Sequence, residues 1–240
     1  RVVRRFGAGG RYLRTLGDGM KPLGHKAYGS IAHLPGSRLG PGDHKCHDGQ
    51  GVICTEKARD KHDRIIVTEK LDGSNVAIAR IDGEIHALSR SGYLAQTSPY
   101  EQHQIFAAWV RAQDWTALPD GHRVSGEWMY QAHGTIYEPD APLIAFDAFG
   151  PGNKRLPHDT ARAMFSDLGL IGAKLIGDGP PMSIPDAMKA LGEFGLQGAK
   201  EQIEGAVWRV ERKGVFDFLA KYVRHDKEDG KYLEGVSGCG

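Results

Sequence analysis

No run of apolar residues in this chain approaches the roughly 18 that a membrane-spanning helix requires. Cysteine is scarce. Cys46, Cys54 and Cys239 are an odd number with no disulfide-framework spacing, which argues against a stapled secreted scaffold and points to a reducing, cytoplasmic setting. No apolar h-region follows the basic first residues, so no secretory signal is read there. A dominant charge is missing as well. The 31 Lys and Arg against 30 Asp and Glu leave a formal +1, too little for a protein that coats nucleic acid indiscriminately. The imbalance is local: residues 1–20 carry Arg1, Arg4, Arg5, Arg11 and Arg14 against Asp18, a balance of +4, and the remainder is −3. A polyanion would have to bind in a local basic groove.

What is present is an ordinary globular composition, 40% hydrophobic and 25% charged over 240 residues. Residues 1–24, rich in Gly and Arg, show no sustained apolar period and read as a disordered or non-native leader, with an RNA-binding arm as the alternative. Residues 25–63 have many His, Gly and charged residues and little alternation, and read as a loop-rich lead-in packed on a main domain spanning 64–240. There, Ile65, Ile66 and Val67 form a short strand that delivers Lys70 to a turn. A hairpin follows with Asp82-Gly83 as its turn. Ile105, Phe106, Trp109 and Val110 recur at helical spacing, and strands are expected at about 122–130 and 142–149. Asp159 reads as the cap of a helix running to about Leu168, and Ser183 and Asp186 as a capping box for one running to about Phe194. Two final strands meet at Lys213-Gly214. Hairpins with interspersed helices predict an α+β fold with largely antiparallel sheets.

The most informative segment is Glu69-Lys70-Leu71-Asp72-Gly73-Ser74-Asn75. It places a lysine at a strand end, on a glycine-containing turn that can let a phosphate approach closely. Taken alone it is equally well a β-turn with a surface lysine. His44, Cys46, His47 and Cys54 lack CxxC or HxxxH spacing and make a weak zinc candidate.

The rest of the chain changes the balance. The segment resembles motif I of the covalent nucleotidyltransferases, the superfamily of DNA ligases, RNA ligases and mRNA capping enzymes. Further segments resemble that superfamily's motifs in the correct order. Ser89-Arg90-Ser91-Gly92 is similar to motif Ia, Ser125-Gly126-Glu127-Trp128 to motif III, and Ala145-Phe146-Asp147-Ala148-Phe149 to motif IIIa. Glu204-Gly205-Ala206-Val207 is similar to motif IV, and Ala220-Lys221-Tyr222-Val223-Arg224 to motif V. Each is weak alone; in order they are strong. Asn75, where DNA ligases and capping enzymes usually carry arginine, resembles the RNA ligase 2-type branch.

That resemblance implies an adenylation domain of antiparallel sheets forming an ATP groove. It also implies a divalent metal (Mg²⁺ or Mn²⁺) and RNA ends or a nicked duplex as substrate. It implies Lys70 as the nucleophile that forms lysyl-AMP, Lys221 on the α-phosphate, and Glu204 holding the metal. Glu69, Asn75, Arg90 and Glu127 would line the nucleotide, with Glu127 on the ribose. Phe146 would stack on adenine, while Phe149 is core. A lysine with pKa near 10.4 costs about 4.6 kcal/mol to neutralise at pH 7, so nearby cations must lower that value, whereas Asp72 and Glu69 would oppose it. Motif V departs from the family's paired lysines: Val223 stands where a second is usual, leaving Arg224 or Lys213 as candidates. No C-terminal OB-fold or helical domain is expected within the chain, so a protein partner could supply RNA-end binding. The rival readings are a DNA ligase, a GTP-dependent capping guanylyltransferase, or a non-catalytic domain that binds nucleotide or RNA ends.

Overall fold

The computed structural model describes residues 21–228 and 230–233. The leader expected at residues 1–24 lies almost wholly outside them, as does the alternative RNA-binding arm. The fold is α+β, with two sheets that are antiparallel apart from two short parallel pairings. The first sheet runs in the order β1 (Ala32–His33), β11 (Val215–Val223), β10 (Gly205–Arg212), β2 (Asp63–Lys70), β9 (Leu175–Gly179). The second runs β4 (Glu84–Ser89), β3 (Ser74–Ile81), β5 (Arg123–Trp128), β6 (Leu143–Gly150), β7 (Lys154–Arg155), with β8 (Ile171–Gly172) added parallel to β6. The two expected tight turns are present. Asp82 and Gly83 have φ of 51° and 80°, and Lys213 and Gly214 have 53° and 73°, so both central residues are left-handed, as a two-residue hairpin requires.

Side-chain alternation explains how the sheets are covered. In β2, Ile65 and Val67 pack into one core with Trp208 and Val210 of β10, Ala220 of β11, helix α1 (Asp48–Thr55) and helix α4 (Ile184–Leu191). In β3, Val76 and Ile78 pack into a second core with Val124, Trp128, helix α2 (Glu101–Arg111) and helix α3 (His158–Asp167). The opposite faces carry Ile66, Thr68 and Lys70 of β2, Asn75 of β3, Val207 and Arg209 of β10, and Leu219 and Lys221 of β11, and these line one shared cavity. Lys70 closes β2 and Ser74 opens β3, so the three residues between them carry the chain from one sheet to the other. The fold thereby puts the lysine at the junction.

Several local expectations are corrected. Residues 25–63 contain β1, an edge strand parallel to β11, and α1, whose buried Cys54 joins Leu34 and Cys46 in the first core. Both cysteines are free and packed there. No apolar period announced α1, because only Gly51 and Cys54 are buried on it. Asp159 is not a cap: Pro157 precedes the first turn of α3, and Asp159 pairs with Arg64 of β2 at 2.7 Å. Ser183 caps α4 by accepting from the Asp186 amide, but the helix ends at Leu191, where Gly192 turns the chain with φ 63°. Among the described residues no helix is long and apolar enough to cross a membrane.

Gly205 is fixed by space. A Cβ there would lie 1.9 Å from the Tyr222 carbonyl oxygen of the neighbouring strand, an atom that cannot move without breaking the β10–β11 ladder. Gly205→Ala is expected to destabilise the fold by about 2–3 kcal/mol, read as a fall in the urea midpoint at unchanged slope.

Candidate active site

The cavity between the sheets has a volume of about 1570 Å³. Lys70 lies on its floor. Its Nζ donates to Glu204 Oε2 at 2.6 Å, and Glu204 immediately precedes Gly205, which pairs in register with Lys70. Burial pushes the ammonium pKa down, but the charges of Glu204, Glu127 and Asp72 outweigh it, and the net direction is upward. The opposing pull expected of Asp72 is therefore present, and Glu204 adds the larger share.

Lys221 reaches the same floor from β11. Burial and the like charge of Lys70 hold its pKa below the ordinary lysine value. Its Nζ lies 3.6 Å from Asp43 Oδ1. Asp43 in turn contacts His33 Nε2 at 3.1 Å, so residues 25–63 position a site cation, which the sequence did not reveal. Glu127 accepts the Gly73 amide at 3.0 Å, and burial raises its carboxyl to about 7. Gly73 is required by protein packing: a Cβ there would lie 2.6 Å from the Trp128 carbonyl oxygen. The turn is thereby pressed against β5, which brings Glu127 beside the lysine.

Asn75 faces the cavity with its Oδ1 buried and without a partner. Phe146 is half-buried at the wall, its ring edge-on to Tyr28 at 5.1 Å, while Phe149 is buried as expected. Arg90 is exposed at the rim, its guanidinium donating to the Gly29 carbonyl oxygen at 3.3 Å. The structure thus gathers Lys70, Asn75, Arg90, Glu127, Phe146, Glu204 and Lys221. It turns the Glu69 side chain away. Glu69 shares the parity of Ile65 and Val67, and its carboxylate accepts from the Leu196 and Gln197 amides at 2.7 and 3.2 Å.

Neither candidate for a second motif V cation reaches the floor. Lys213 sits in the distal hairpin turn, and Arg224 pairs with Asp226 at 2.7 Å and donates to the Ile203 carbonyl oxygen. The cation beside motif I is instead Lys227, fully buried, bonded to Asp72 Oδ2 and to Thr135 Oγ1 at 3.0 Å. Asp72 also accepts the Gly134 amide at 2.8 Å. Nothing in the spacing marked Lys227, because it follows the last strand and reaches the turn only through tertiary packing.

An RNA ligase family model matches residues 63–223 of the chain. An archaeal ATP-dependent RNA ligase, form 2, is similar in structure, with TM-score 0.52 and 26% identity over 68% of this chain and 43% of that one. Form 1 gives 0.49 and 23%, over 81% and 48%. A Naegleria gruberi RNA ligase with PPi gives 0.45 and 16%, over 80% and 59%. An uncharacterized protein of Methanocaldococcus jannaschii is 53% identical over 32 residues, 13% of this chain and 8% of that one. The chain spans less than half the length of the archaeal ligases it matches.

Two outcomes follow from the charges. Lys227→Met leaves the Asp72 carboxylate without its cation and is expected to cost about 3 kcal/mol, read by urea denaturation, with Lys227→Arg retaining part of the loss. For Glu127, a folded pKa of about 7 against an ordinary 4.5 means that the folded state binds the proton more tightly. Its favourable contribution is complete below about pH 4.5 and is lost as pH rises through about 7. Glu127→Gln should therefore stabilise the protein at pH 8 by on the order of 3 kcal/mol and have little effect at pH 4, measured as thermal midpoints at both pH values.

Proposed function

The chain belongs to the RNA ligase family, and on that premise we propose that it is an ATP-dependent ligase that joins RNA 3′-hydroxyl and 5′-phosphate ends through a lysyl-AMP intermediate. The observation that carries the reading is a half-buried lysine on the floor of a cavity large enough for a nucleotide, with a carboxylate at 2.6 Å and a second lysine on the same face.

The residues present fit a nucleotide. Phe146 offers a ring face to a base. The unpartnered Asn75 Oδ1 and the Glu127 carboxyl suit hydroxyl and amine donors. Lys221 supplies a cation for the α-phosphate. Among the described residues no cluster of three protein ligands could cage a metal. Glu204 alone would hold a hydrated Mg²⁺ or Mn²⁺, ions that take oxygen donors and keep several waters. When bound, such an ion would neutralise phosphate charge and draw the Glu204 carboxylate away from Lys70.

In the first step the Lys70 ammonium gives its proton to solvent water in the open cavity, and the freed Nζ lone pair forms a bond to the α-phosphorus. The bond from that phosphorus to the bridging oxygen breaks, and the pair leaves with pyrophosphate. Lys221 offsets the charge that builds on the α-phosphate oxygens. An RNA 5′-phosphate oxygen then attacks the same phosphorus and releases the lysine. A 3′-hydroxyl finally attacks the RNA 5′-phosphorus and expels AMP.

Denaturing mass spectrometry after incubation with ATP and Mg²⁺ tests the assignment. The wild-type chain is expected to gain one AMP, and Lys70→Ala none. Lys70→Arg should fail equally, because the guanidinium remains protonated. An adduct of unchanged yield on Lys70→Ala would overturn the nucleophile. Stronger labelling with GTP than with ATP would favour the capping reading.

A further inference from the structure

The cavity of about 1570 Å³ exceeds the roughly 300–1,000 Å³ of ordinary small-molecule sites, so a mononucleotide on the floor leaves its mouth open. The mouth has a distinctive chemistry. Among the described residues Tyr93, Tyr100 and Tyr130 are the exposed tyrosines, at 41%, 60% and 60%, and all three line this cavity. The other exposed large apolar side chains, such as Leu39, Val52, Phe194 and Val215, lie elsewhere.

These rings are held in place. Tyr100 sits at the start of α2, its amide donating to Ser98 Oγ, while His103 lies edge-on to it at 5.8 Å and contacts the same hydroxyl at 2.8 Å. Tyr130 stacks on buried Trp128 at 6.1 Å with 13° between planes. His133, three residues on, contacts Ser74 Oγ at 3.1 Å, on the strand that follows the Lys70 turn. Burial holds both imidazoles below their ordinary pKa, and the charge of either would oppose that of the other. The two imidazoles are therefore neutral at neutral pH, and this end of the mouth presents aromatic faces beside the nucleophile. A paired helix keeps its base faces stacked inside and offers phosphates outward; unpaired nucleotides expose the faces that aromatic rings bind.

Resting on the RNA ligase reading above, we propose that Tyr100 and Tyr130 form a stacking lip that holds unpaired nucleotides of the RNA end, so that the chain selects single-stranded over fully paired ends.

The test compares binding of a labelled 5′-phosphorylated RNA of about six nucleotides with binding of the same sequence paired within a nicked duplex, at two salt concentrations. For Tyr100→Ala/Tyr130→Ala the affinity for unpaired RNA should fall about tenfold or more, with an unchanged salt slope and little change for the paired end. Tyr100→Phe/Tyr130→Phe should restore binding, since the ring does the work, and also controls for folding. Equal loss for paired and unpaired RNA, or no loss, overturns the lip. A flatter salt slope in the alanine variant would also overturn it, because that signals a lost phosphate contact. So would a drop in solution mass with RNA affinity unchanged, which would make the lip a contact between copies. Binding is read without ATP. A wild-type chain that binds unpaired RNA through the lip but takes no AMP contradicts the ligase reading alone; one that takes AMP with an indifferent lip contradicts this inference alone.

Discussion

A buried ammonium survives in a protein only beside a carboxylate, and the pairing of Lys70 with Glu204 at 2.6 Å is the constraint around which the molecule is arranged. Both partners are placed by one ladder, since Lys70 ends β2 opposite Gly205, the residue after Glu204. The ladder closes tightly because Gly205 has no side chain to collide with Tyr222. The three-residue crossing to β3 starts at the same point, pressed against Trp128 by Gly73. The nucleophile of the proposed reaction is thus held charged and unreactive, and it becomes competent when the Glu204 charge is engaged elsewhere. That couples its activation to the arrival of phosphate and cation together.

At the cavity wall a second polar network ties the sheets to each other. Arg209 of β10 reaches Asp147 of β6 at 3.0 Å and Glu211 at 2.7 Å, while Arg155 pairs with Asp147 at 2.6 Å and Tyr28 donates to it at 3.0 Å. Both Asp147 oxygens are occupied, so its buried charge is compensated by the two arginines. Phe146, the preceding residue, also lines the cavity and packs edge-on against Tyr28. The proposed base-stacking wall is therefore braced by an ionic contact between sheets, as a wall must be if it is to orient a nucleotide.

What could be read from the sequence, and what could not, follows from the range of the interactions. The hairpin turns at Asp82-Gly83 and Lys213-Gly214 and the periodicity of α2 are local, and the structure has them as expected. The segments bearing Lys70, Glu127, Glu204 and Lys221 were legible because their order along the chain is itself information, and they do converge. Glu69 borders the cavity, but its carboxylate faces the Leu196 and Gln197 amides, as its strand parity with Ile65 and Val67 dictates. Lys227, Asp43 and His33 had no local signal, because their partners lie 155, 178 and 10 residues away in the chain. Edge strands of two residues, such as β1, β7 and β8, are too short to show any alternation.

The near-zero net charge of the chain acquires a meaning at the cavity floor. Each floor lysine has its own carboxylate, Lys70 with Glu204 and Lys221 with Asp43, and the buried Lys227 beneath the turn has Asp72. At rest the floor is close to neutral, so it does not attract polyanions at long range as an open basic face would. A phosphate gains a lysine there only by competing with the carboxylate that already holds it, and a ligand that also brings a cation for that carboxylate meets the smallest penalty. In the proposed reaction this pairing would favour a metal-bearing nucleotide over bare RNA phosphate, and the aromatic mouth would leave recognition of the RNA end to base faces.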